Sequence, residues 1–139
     1  MAAFLRVSKE RILLKCEIAQ PNQIIYLDES LFDPREADRS ISAGGLILVN
    51  SAAGPERFKV PEGGRLGLID AGGIASRNDL GKMINTAVLG AYCRLNQEPG
   101  LEALLAAVEE TVPARKEANR AAAEEAYQSL RTDEEGGPR

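Results

Sequence analysis

Three short apolar runs, QIIYLDES at 23–30, GGLILVNS at 44–51 and RLGLIDA at 65–71, recur at a spacing of about 20 residues, and each passes into polar or small residues at its end. Runs that are apolar throughout, rather than alternating, belong to strands buried on both faces, as in parallel sheets. The breakers Gln20-Pro21-Asn22, Gly44-Gly45 and PEGG at 61–64 set off their starts. The spacing is tight for full crossover helices, so some connections are predicted to be loops or single turns. Ser30 is expected to cap a short helical turn through Leu31 and Phe32, and the charged run from Arg35 to Arg39 to form a solvated connection.

The period changes after these runs. From Asn78-Asp79, residues Leu80, Met83, Ile84, Ala87, Val88, Ala91 and Tyr92 fall on one helical face, with Gly90 kept inside, which suits close approach of another backbone. A second helix is predicted over 101–111. A third starts at Pro113 and runs to about Arg131. Asn85 and Asn119 lie on helices although Asn forms them poorly, so each is expected to make a specific hydrogen bond. Upstream, AFLRV at 3–7 and RILL at 11–14 read as strands, as a hairpin or as a strand and turn. The expected fold class is α/β: a three-layer, Rossmann-like, mostly parallel sheet with C-terminal helices. One domain over 1–131 is followed by a charged, Gly/Pro-rich tail, 132–139, expected to be disordered.

Composition narrows the chemistry. No histidine occurs among the 139 residues, which removes the commonest acid–base group near neutral pH and the commonest metal ligand. Cys16 and Cys93 stand alone, too few for an iron–sulfur or zinc site, and read as small buried hydrophobes. A net charge of −4 with scattered basic residues disfavours nucleic acid. No apolar run is long enough for a membrane helix, and charges interrupt the first residues too often for a signal peptide, so a cytoplasmic location is expected. Asn50 and Ser51 stand at a predicted strand end, where open α/β sheets receive ligands, although both residue types also serve as plain turn formers. Asp28 and Glu29 are expected to cap a helix rather than to do acid–base chemistry.

The succession AFLRVS, QPNQIIYLDESLF, GGLILVNS, INTAVLGAYCRL, LEALLAAVEETVP and KEANRAAAEEAYQSL, from Ala3 to Leu130, resembles the γ subunit or domain of 2-oxoacid:ferredoxin (acceptor) oxidoreductases, the pyruvate and ketoisovalerate class. The family's γ domain usually opens with a strand and a GGQG-type loop, and about its first third has no counterpart here. The chain is thus expected to be one piece of a split subunit or a reduced γ subunit, incomplete at the N-terminus of the sheet. The resemblance implies a non-catalytic subunit of a complex that decarboxylates a 2-oxoacid to an acyl-coenzyme A and passes electrons to ferredoxin or a similar acceptor. It implies thiamine diphosphate and iron–sulfur clusters on partner subunits, with this subunit helping to close the coenzyme A side of the active site. Arg6, Asn50 and Ser51 are the residues of this chain expected on that side. The alternative is a stand-alone α/β binding or assembly module without enzymatic activity.

Overall fold

The computed structural model describes residues 1–133. Strands β1 (Gln23–Tyr26), β2 (Leu46–Asn50) and β3 (Arg65–Ile69) form a parallel sheet in that order, with register Gln23 to Leu46 and Leu46 to Arg65. A two-residue strand, β4 (Arg131–Thr132), closes the far edge antiparallel to β3 through Gly67 and Leu68. β1 is the other edge. The runs of β2 and β3 are buried on both faces as expected, because successive side chains leave a strand on opposite sides, but β1, at the sheet edge, is not: Ile24 and Tyr26 are half-buried and Ile25 and Leu27 exposed. Leu46, Leu48 and Ile69 pack under the C-terminal helices, while Ile47, Val49, Leu66 and Leu68 pack on the other face.

Helix α1 (Pro34–Ser40) covers that second face with Ala37 and, just beyond its end, Ile41; Phe58, Phe32 and Tyr26 complete the layer. The two aromatic contacts there, Tyr26 to Phe32 and Phe32 to Phe58, are both edge-to-face at 5.3 Å. On the first face lie α2 (Ala71–Arg77), α3 (Asn85–Asn96) and α5 (Lys116–Ser129). Helix α4 (Leu101–Thr111) packs outside α3 and α5 through Leu104, Leu105 and Val108 against Cys93 and Ala123. Gly90 sits where α3 meets α5: a Cβ there would fall against the Ala123 backbone, 2.9 Å from its Cα, so only glycine permits this approach. Gly67 does the same for the sheet, since a Cβ would lie 2.6 Å from the Leu95 side chain.

Several expectations from the sequence are corrected. Residues 3–7 and 11–14 form no strand, and Phe4, Leu5, Val7, Leu13 and Leu14 are all exposed, because nothing among the described residues is placed against them. The run 35–39 is helix α1, started by Pro34 at an early helical position with Asp33 accepting from the Arg35 N–H at 2.8 Å. Asp28, not Ser30, caps the 3₁₀ turn Glu29–Leu31. The helix placed from residue 78 starts at Asn85; Asn78 instead ends α2, and Leu80 is buried from a turn while Met83 is exposed. Helix α5 begins at Lys116 rather than Pro113. Cys93 is buried, and burial pushes its thiol pKa up, but Cys16 is exposed. Thr132 pairs with Gly67 instead of joining the tail; residues 134–139 lie outside the described residues.

Candidate functional site at the strand ends

The carboxyl ends of β1, β2 and β3 are tied together by one side chain. Asn50 Nδ2 donates to the Leu27 carbonyl just past β1 at 3.0 Å, and Asn50 Oδ1 accepts from the Ala71 N–H just past β3 at 3.0 Å. An amide offers both a donor and an acceptor, so this position joins two neighbours of opposite polarity. Next to it Asp70 caps α2, accepting from the Gly73 N–H at 2.9 Å.

Ser51 is buried at 4 % exposure. Its N–H donates to Ile69 O at 2.9 Å, its hydroxyl donates to Glu29 Oε2, and its oxygen accepts from the Ala53 N–H at 2.9 Å. Glu29 also pairs with Arg57, N to O 3.3 Å, across an exposed surface. From the far edge, Arg131 reaches back to donate to Ser51 O at 2.7 Å and Ala53 O at 2.8 Å. The result is a braced loop whose polar groups satisfy one another. Hydrogen bonding from Ser30 holds the Asp28 carboxyl below its ordinary pKa, as a capping carboxylate requires.

The structure therefore brings Asn50 and Ser51 together at the carboxyl end of the sheet and does not bring Arg6 with them. Arg6 lies on the exposed N-terminal segment, where its guanidinium donates to Glu17 O at 3.4 Å. Asn119 makes the specific bond expected of it: buried Thr86 Oγ1 donates to Asn119 Oδ1 at 2.6 Å, and Asn119 Nδ2 donates to Arg115 O at 2.9 Å. Asn85 is exposed at the start of α3. Arg57 and Arg131 were not singled out by the sequence, and Glu29, expected to cap a helix with Asp28, instead reaches Ser51. Glu29 pairs across 22 residues and Arg131 across 80, distances over which no local pattern extends. A surface groove of about 980 Å³ beside Asn78, Asp79 and Arg115 is lined by none of the strand-end residues.

The family model for pyruvate ferredoxin/flavodoxin oxidoreductase matches residues 1–129. The pyruvate/ketoisovalerate oxidoreductases common subunit gamma of Thermococcus kodakarensis is 35% identical over 133 residues, covering 91% of this chain and 71% of that protein. The pyruvate synthase subunit PorC of Methanothermobacter marburgensis is 28% identical over 130 residues, covering 93% and 71%. The crystal structure of the pyruvate oxidoreductase subunit PORC from Thermotoga maritima superposes with a TM-score of 0.72 at 24% identity, over 84% of this chain and 67% of that one, and so shares its fold.

Proposed function

The chain belongs to the pyruvate ferredoxin/flavodoxin oxidoreductase family, and from that premise we propose that it works as the γ-type subunit of a multi-subunit 2-oxoacid:acceptor oxidoreductase, an assembling subunit rather than the one that carries the chemistry. The observation that carries this reading is the match running from residue 1 to residue 129, which takes in every helix and strand of the sheet domain except β4. In this reading residues 1–131 act as one γ-type domain in the cytoplasm; no helix among the described residues is long and apolar enough to cross a membrane.

Iron–sulfur clusters take about four cysteine ligands. This chain has two, one exposed and one buried beneath α4, and they do not fit a cluster. In this reading the electron carriers of the complex sit on partner subunits, which pass electrons to a ferredoxin-type acceptor. Thiamine diphosphate, on a partner subunit in this reading, would supply the chemistry of decarboxylation. The share of this chain is the coenzyme A side, where Asn50 and Ser51 act as positioning residues: their side chains hold the strand-end loop in shape through bonds within the fold. Arg6 would meet a coenzyme A phosphate only once the N-terminal segment is docked.

Co-purification tests the assembly. A tagged chain expressed in its own cells should bring down thiamine- and iron-bearing partners together with coenzyme A-dependent oxidation of a 2-oxoacid. Recovery of the chain alone would favour a stand-alone binding module. In the assembled enzyme, Asn50→Ala and Ser51→Ala should raise KM for coenzyme A and leave KM for the 2-oxoacid unchanged. If both constants stay at wild-type values in a complex of normal composition, the strand end has no part in the coenzyme A side.

A further inference from the structure

The edge of β1 and the N-terminal segment have matching needs. Among the described residues β1 pairs with β2 alone, leaving one row of backbone donors and acceptors open. Beside this edge, on the α3 side, Ile25 is 38% and Leu27 49% exposed. Gln23, which shares that face, donates to Asn96 at 2.7 Å and accepts from the Tyr92 hydroxyl at 2.5 Å, setting the end of α3 over the start of β1. One turn before Tyr92, Leu89 is exposed at 46%. Ile25 and Leu27 thus leave exposed apolar surface at an open strand edge.

The segment AFLRV has the pattern of a strand and is not one in the single chain. Extended, it places Ala3, Leu5 and Val7 on one side and Phe4 and Arg6 on the other. The first side suits Ile25 and Leu89. The second suits the opposite face of β1, where Tyr26 and Phe32 form an aromatic pair and burial, followed by the nearby carboxylates of Glu36 and Asp33, pushes the Tyr26 pKa up. Phe4 would extend the aromatic row and Arg6 would meet the acidic flank. Charge agrees along the wider segment: 1–20 carries Arg6, Lys9, Arg11 and Lys15 against Glu10 and Glu17, whereas 28–38 carries five carboxylates against Arg35 alone. Within one chain the segment turns back on itself, Arg6 to Glu17 O, rather than onto the sheet.

We propose that residues 3–7 of one copy add as a strand to the β1 edge of a second copy, making a dimer by mutual strand exchange. This surface stands on the chain's own complementarity and does not rest on the oxidoreductase reading. Leu5 is the middle of its run and Ile25 lies in the middle of β1, so either strand direction brings them together. The test uses the full chain in a Cys16→Ser background carrying Leu5→Cys and Ile25→Cys. Mild oxidation should give a covalent species of twice the 14.9 kDa chain mass on a non-reducing gel. A disulfide that forms at monomer mass would overturn the proposal, since the segment would then lie on its own sheet. So would the absence of any cross-link. Independently, light scattering over a dilution series should show a dimer that is lost in Leu5→Lys/Val7→Lys, whose altered positions are exposed in the monomer. A chain that is monomeric throughout the series, or a dimer that survives the two lysines, would also overturn it.

Discussion

AFLRV at 3–7 and LILV at 46–49 are both short β-favouring runs, yet the first is exposed throughout and the second is almost wholly buried. The difference lies in what surrounds them. Leu46–Asn50 has a parallel partner on each side, α1 on one face and α3 with α5 on the other. Residues 3–7 have no backbone partner and no covering layer among the described residues. Strand propensity describes a fit to a pleated, half-buried surface, and without that surface it has no effect.

Deleting the same side chain from each run should give the largest contrast. Leu48→Ala removes a fully buried side chain between two strands and is expected to cost about 2–5 kcal/mol, whereas Leu5→Ala in dilute solution should stay within about 0.5 kcal/mol. Urea denaturation of the two variants measures both. Equal losses would erase the contrast.

Gly90→Ala comes next. Its methyl group would strike the Ala123 backbone, which cannot turn aside as a side chain can, so a loss of about 1–3 kcal/mol is expected by thermal melting. A neutral result would show that α3 and α5 are not as close as described. Asn50→Ala breaks two bonds at once and leaves the Leu27 carbonyl and Ala71 N–H to solvent, for about 1–2 kcal/mol. This should move the strand ends of β1 and β3 more than β2 itself, visible as faster amide exchange at Ala71.

The smallest effect belongs to the periphery of the buried region. Burial raises the Glu125 pKa, but bonds from Arg77 and Asn78 outweigh it and leave the net value lowered. A carboxylate depressed in the folded state adds stability above its unfolded pKa and loses it as pH falls through the folded value. Glu125→Gln should thus cost about 0.5 kcal/mol at neutral pH, and the deficit should fade below about pH 4.5. A deficit unchanged in acid would mean that charge is not its cause.

Much of the sheet was readable in advance because doubly buried strands carry an unbroken apolar run, and the close approach at Gly90 because an unexplained helical glycine requires a reason. The reading failed where context decides. Residues 3–7 and 11–14 read as strand from their side chains alone, and the run 35–39 reads as a solvated connection because one buried position, Ala37, gives a charged helix no visible stripe. At the strand end, the positions of Asn50, Ser51 and Glu29 are legible in the sequence, but the bonds by which Glu29 and Arg131 brace the loop from distant parts of the chain leave no local trace.

Hydrogen exchange on the full chain, followed over a dilution series, tests the contrast between the two runs most directly. Amides of 46–49 should exchange slowly at every concentration, and those of 3–7 should exchange fast when dilute and slow as the chain is concentrated. Protection of 3–7 in the dilute monomer, or exchange of 46–49 as fast as theirs, would contradict the account.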